Sequence, residues 1–262
     1  MKIREITDAV EAFAPLWAQE GYDNSGLIVG DRNGEVDAAL VCVDVTEAVV
    51  EEAAELGIGL VISHHPVIFN PLRRLTGATC VERAVAKAIK HDIALYASHT
   101  NLDASPGGLS YRLAQMLSLE NVRLLSPTKD ENTGMGVVGT LPHPVAVTDF
   151  LKQVAATLGV KALRHSAPAT PTVQKVAICS GSGASLIGEA TAAGAEVYLS
   201  ADFKYNNFLD AAGQLTIADV GHYESEYCAV ELLISVINKK FPTFALRKSA
   251  KGTNPVHYLV TI

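Results

Sequence analysis

The sequence predicts an α/β protein whose mainly parallel strands are flanked by helices, and three observations carry that expectation. Short apolar runs of strand length alternate with amphipathic helical stretches. Runs such as AALVCVDV and IGLVIS are almost continuously apolar, as strands buried on both faces of a parallel sheet are. The chain has 262 residues, 48% hydrophobic and 19% charged, which is enough for one large core or two small ones.

The elements follow in order. MKIREITDAVEAFAP has the periodicity of an amphipathic helix. EGYDNSGLIVGD sets Asp23 and Asn24 beside glycines, which is the composition of a turn held by side-chain hydrogen bonds. AALVCVDV is a buried strand, and Thr46 is placed to cap the helix EAVVEEAAELG, which ends at Gly57. The strand IGLVISHH completes a strand–helix–strand unit. A second unit follows in the helix VERAVAKAIKHD, the strand IALYASH and the helix GLSYRLAQMLSL.

From residue 126 to 146 charge, Gly and Pro cluster, so the expected domains are 1–125 and 126–225, with the segment 226–262 packing back onto the first. In the second half VTDFLKQVAATLG, ASLIGEATAAG and EYCAVELLISVINKKF read as helices. VKALRHS, KVAICSGSG, EVYLSAD and LTIADVGH read as strands, and the tail NPVHYLVTI alternates as a last strand would. No repeat of fixed period is present.

Composition excludes several function classes. A net charge of −7 argues against a nucleic-acid-binding surface, which needs clustered Lys and Arg. No apolar run reaches the ~18 residues of a membrane span, and the first residues lack a signal peptide's apolar stretch. Cys42, Cys80, Cys179 and Cys228 are far apart in apolar surroundings, so buried thiols and a cytoplasmic location are expected.

The chemistry-bearing residues gather where strands end. His64 and His65 close the run VIS before Pro66, and at a strand end two neighbouring imidazoles can converge on one site or straddle two close ones. SHTNLDA adds His99 and Asp103, and GHYESE adds His222 and Glu226, four apart on one side of a first helical turn. Taken alone, Asp103 fits a turn and Glu226 fits a helix-capping carboxylate. Together, His64, His65, Asp103, His222 and Glu226 exceed the needs of one tetrahedral zinc and point to two divalent metal ions, drawn from Zn, Fe, Mn, Co or Ni. His99 is a candidate outer partner or proton shuttle, or simply a hydrogen bond that holds its loop. CSGSGAS has the look of an anion nest, but without a P-loop lysine a tight strand–helix turn is the favoured reading. No nucleophile elbow or catalytic-cysteine signature is present.

YDNSGLIVG, SHHPVIF, SHTNLDA, CSGSG and GHYESE, in this order over nearly the whole chain, resemble the NIF-three-like family, also called GTP cyclohydrolase I type 2 homologues. Matched residue by residue, the resemblance implies that the dinuclear metal ligands are His64, His65, Asp103, His222 and Glu226. It also implies a NIF-three-like fold of two interlocked α/β domains and a homohexameric ring. In ADFKYNN the chain departs from the family pattern, with Ala201 and Asn206 where many members have Gly and His.

Two functions are therefore expected to compete. One is a dinuclear metal-dependent hydrolase acting on a small molecule, with a nucleotide such as GTP as the implied substrate and opening of its purine ring or phosphoester hydrolysis as the chemistry. The other is a non-catalytic metal-binding protein serving as a structural, sensor or interaction module.

Overall fold

The computed structural model describes residues 1–128 and 132–259. The chain forms two compact units. The first contains Met1–Ser105 and Ala229–Thr253, and the second contains Pro106–Cys228 and, of the described tail, residues 254–259.

The first unit begins with α1 (Ile3–Phe13), β1 (Gly26–Val29), β2 (Ala38–Cys42), α2 (Glu47–Glu55) and β3 (Leu60–Ser63). It continues through α3 (Cys80–Lys90), β4 (Ala94–Ala97) and the one-turn helix α4 (Thr100–Ala104). The strands order as β1-β4-β3-β2, and the strand Ala245–Lys248 adds parallel to β2. β2, β3 and β4 are mutually parallel because a helix separates each from the next. Leu40, Val61 and Leu95 of these strands join Val49, Val50 and Ala53 of α2 and Ala84, Val85 and Ala88 of α3 in one buried cluster. Thr46 caps α2 through the Val49 amide, as expected from its position, and Thr79 caps α3 through the Glu82 amide.

β1 falls within EGYDNSGLIVGD, which the sequence reads as a turn. It is a four-residue strand antiparallel to β4, and Gly30 just past its end serves close packing. A Cβ on Gly30, whose φ is +107°, would lie 2.7 Å from Ala94 Cβ. Glycine here admits the neighbouring strand.

The second unit comprises α5 (Leu109–Met116), β5 (Glu120–Pro127), β6 (Gly134–Ala146), α6 (Val147–Leu158) and the two-residue β7 (Arg164–His165). It continues through β8 (Thr172–Ser182), α7 (Ile187–Ala192), β9 (Val197–Ala201), α8 (Tyr205–Asp210), β10 (Thr216–Asp219) and α9 (His222–Glu226). The sheet order is β5-β6-β8-β9-β10-β7. β8, β9 and β10 are parallel, whereas β5, β6 and β7 pair antiparallel, so this sheet is mixed.

The Gly- and Pro-rich stretch after residue 126 is thus mostly strand, with β5 running to Pro127 and β6 from Gly134 to Ala146, while Lys129, Asp130 and Glu131 lie outside the described residues. Gly134 is needed because a Cβ there would sit 2.3 Å from the Ser126 carbonyl oxygen on β5. Pro142 and Pro144 fall between Thr140 and Val145, where the ladder to β8 shifts register and demands no N–H from them. The expected terminal strand NPVHYLVTI is not formed over residues 254–259, and its last three residues lie outside the described ones. The returning strand is ALRK, residues 245–248. Cys42, Cys179 and Cys228 are buried as expected, but Cys80 is exposed at the first residue of α3.

Glu52 of α2 anchors the segment after the returning strand, accepting hydrogen bonds from Ser249 Oγ and from the amides of Ala250 and Lys251. Burial alone would raise its pKa, but these donors outweigh it and hold the carboxyl below the ordinary range. A depressed folded pKa contributes stability above the unfolded value and loses it as pH falls. Glu52→Gln is expected to cost on the order of 1 kcal/mol at neutral pH. In denaturant unfolding the gap from wild type should close below about pH 4, and a gap constant with pH would refute the assignment.

Candidate metal centre

The first unit assembles three imidazoles. β3 ends at Ser63, and its backbone path continues as the amides of His64 and His65 donate to the carbonyls of Cys42, the last residue of β2, and of Val43 just past it. Past the strand end the alternation of faces lapses, and the two rings lie side by side with centroids 5.0 Å apart. His99, just past β4, sits 5.3 Å from each. One ring nitrogen from each of the three falls within 4.8 Å of the others. Asp103, buried on α4, brings Oδ2 to 3.8 Å from His64 Nε2. Adjacent histidines at a strand end therefore converge, and His99 joins them.

Each ring is held by its Nδ1. His64 Nδ1 lies 2.9 Å from the Ser98 carbonyl, His65 Nδ1 2.8 Å from Asp44 Oδ1, and His99 Nδ1 2.7 Å from Asp23 Oδ1. A carbonyl or ionised carboxylate only accepts, so the proton sits on Nδ1 and Nε2 carries the lone pair. Asp23 also accepts from the amide and hydroxyl of Thr100 and from the Asn24 amide. Burial would raise its pKa, but His99, Thr100 and Asn24 together hold it well below the usual carboxylate range.

The second unit carries the other expected donors. Gly221, at φ +84°, turns the chain from β10 into α9, whose first residue is His222 and whose last is Glu226. Their four-residue spacing places His222 Nε2 3.0 Å from Glu226 Oε2. His222 Nδ1 lies 2.7 Å from Asp202 Oδ2 at the end of β9. Burial opposes charge on His222, but Glu226 and then Asp202 overcome it and raise its pKa to about 9. Two carboxylates that favour a proton on this ring equally favour a metal cation at Nε2.

Asp23, Asp44 and Asp202 are site residues whose role the sequence reading missed. Each stands at a turn or strand end, the one signal available, and each fixes a histidine in the way that outer-shell carboxylates orient metal-bound imidazoles. In CSGSG the Gly181 amide donates to Ser225 Oγ and the Ser180 amide to Ser110 Oγ, so these two amides are engaged within the protein. Among the described residues no helix is long and apolar enough to cross a membrane. His64, His65 and His99 form a group that could hold a metal ion, and no thiolate is among the donors of either unit.

Comparison with known proteins agrees with this architecture. The family model for Duf34/NIF3 (NGG1p interacting factor 3) matches residues 1–255. A GTP cyclohydrolase 1 type 2 homolog from Clostridium perfringens is 35% identical over 241 residues, covering 91% of each chain. A protein of the same name from Streptococcus pneumoniae is 34% identical, covering 99% of this chain and 100% of its own. The crystal structure of a Bacillus cereus protein related to NIF3 superposes with a TM-score of 0.90 at 25% identity, covering 99% of both chains. With a family match over almost its entire length and relatives of the same extent, the chain belongs to the Duf34/NIF3 family.

Proposed function

We propose that the protein is a metal-dependent hydrolase that binds two divalent ions, with His64, His65, Asp103, His222 and Glu226 as their ligands. The observation that carries this reading is the orientation of the rings: His64, His65 and His222 each have Nδ1 set against an oxygen acceptor, so Nε2 is the nitrogen each would offer to a metal. When bound, such ions polarise a substrate oxygen and lower the pKa of a coordinated water toward neutrality.

The remaining work falls to the chain. Asp44 and Asp202 orient His65 and His222, and Ser98 fixes His64 through its carbonyl. His99 is the proposed proton acceptor: its Nδ1–H is held by Asp23, so a proton taken at Nε2 gives an imidazolium stabilised by that carboxylate. The relatives' name makes GTP the first substrate to try, with purine-ring opening followed by absorbance and phosphoester hydrolysis by released phosphate.

Elemental analysis of protein purified without chelator should find about two ions per chain. Turnover should vanish on chelation and return with the native metal. One ion or fewer after saturation and desalting would refute the dinuclear reading. Two ions with no turnover of nucleotides or phosphoesters would leave a metal-binding module.

A further inference from the structure

Beside the first unit's imidazoles stand two exposed aromatic rings that the metal chemistry does not use. Phe69 meets His99 edge to face with centroids 6.0 Å apart at 80°, and Tyr22 meets Phe69 in the same manner at 6.2 Å and 65°. Phe69 is 45% exposed and Tyr22 65%. Large aromatics left this open on a protein surface forgo the burial that stabilises most of their kind.

Their exposure is built in. Asn24 Nδ2 donates to the Ile68 carbonyl at 2.7 Å and ties the loop bearing Tyr22 to the one bearing Phe69. The Asp23 amide donates to the Glu20 carbonyl, and the Glu20 amide to Thr100 Oγ1. The Ser25 amide donates to Gln19 Oε1. The hydrogen bonds that orient His99 through Asp23 therefore also fix the loop presenting Tyr22. Both rings stay accessible to solvent beside the imidazoles, so a flat ring that packs against Phe69 lies alongside His99.

Resting on the metal-centre reading above, we propose that Tyr22 and Phe69 are a stacking subsite for a planar heteroaromatic ring of the substrate, holding that ring beside the imidazole cluster. Such a surface selects flatness and π character, and it leaves the polar part of the ligand to the metal donors.

The test compares binding of GTP with that of inorganic tripolyphosphate, which carries the charge without the ring. Both are measured by equilibrium dialysis on metal-loaded protein whose metal content and oligomeric state are recorded. Wild type should bind GTP more tightly than tripolyphosphate. Phe69→Ala and Tyr22→Ala should each weaken GTP by roughly 5- to 150-fold, the effect of removing one base-stacking side chain. Tripolyphosphate affinity and metal content should stay unchanged. Phe69→Trp should retain GTP binding and Phe69→Leu should lose it, since leucine keeps the apolar bulk without the ring.

Equal affinity of wild type for the two probes, or undiminished GTP binding by Phe69→Ala, would overturn the subsite. So would a Phe69→Ala variant that changes only the oligomeric state, which would make the pair a contact between copies of the chain. If wild type holds no metal yet shows the stacking pattern, the metal-centre reading fails and the subsite stands. If it holds metal without the pattern, the reverse applies.

Discussion

His65→Ala and Asp103→Ala should each remove hydrolysis almost completely while leaving the protein folded. His65 sits beyond the end of β3, partly exposed, so truncating it opens no cavity in the cluster that packs the sheet against α2 and α3. Asp103 is buried next to His64, and its loss removes a carboxylate from a group of imidazoles. The magnitude has a lower bound. Removing an outer-shell partner alone costs about 10- to 100-fold in metal affinity or activity, and removing a proposed ligand should exceed it, so turnover should fall by at least ~10²-fold. His99→Ala separates the proton role from ligation: a proton-transfer group is worth about 10²- to 10⁴-fold, with metal content retained. Measurement requires kcat, metal content and circular dichroism on the same preparations. Turnover at wild-type level in either His65→Ala or Asp103→Ala would end the hydrolase reading.

These candidates were legible because histidine is scarce and two in a row between apolar segments have few ordinary uses. The helical spacing of His222 and Glu226 was legible for a similar reason, since four residues on a helix make one geometry. The carboxylates that aim the rings were not. Asp44 lies 21 residues from His65, Asp23 lies 76 from His99 and Asp202 lies 20 from His222. Each is a common residue at a turn, where a bland role explains it as well, and only the fold brings it to a particular nitrogen.

The same contrast governs the fold. β2, α2, β3, α3 and β4 announce themselves by local patterns: apolar runs, a threonine cap, a terminal glycine. β1 and β6 do not, because their glycines answer to a neighbouring strand. Gly30 yields to Ala94, and Gly134 to the Ser126 carbonyl. A glycine required by tertiary approach and a glycine required by a turn are the same letter in a sequence.

Gly181→Ala provides a second large effect, at a residue that offers no metal ligand. Gly181 sits in β8 with φ +60°, a left-handed conformation that an L side chain adopts only with strain. A Cβ built there would lie 2.1 Å from Glu226 Oε1 and 3.4 Å from His222 Nε2. Real Cβ atoms do not approach an oxygen so closely, so either the strand or the Glu226 carboxylate must move. Gly181 lies where the ladder to β9 shifts register, but its amide donates to Ser225 Oγ and its carbonyl accepts from Ser200 Oγ, whereas Glu226 closes a single helical turn, so the carboxylate is the group that yields. The variant should lose metal affinity by about 10- to 100-fold, as when the support of a ligand is removed. Its stability should fall by more than the ~1 kcal/mol that an unstrained glycine replacement changes. Gly188, where a Cβ would meet nothing within 4 Å, gives the control: Gly188→Ala should bind metal as wild type does. Metal titration of the two variants against Glu226→Ala decides the matter. Gly181→Ala should resemble Glu226→Ala in metal content, and full metal affinity in Gly181→Ala would show that Glu226 is not a ligand held in place by the glycine.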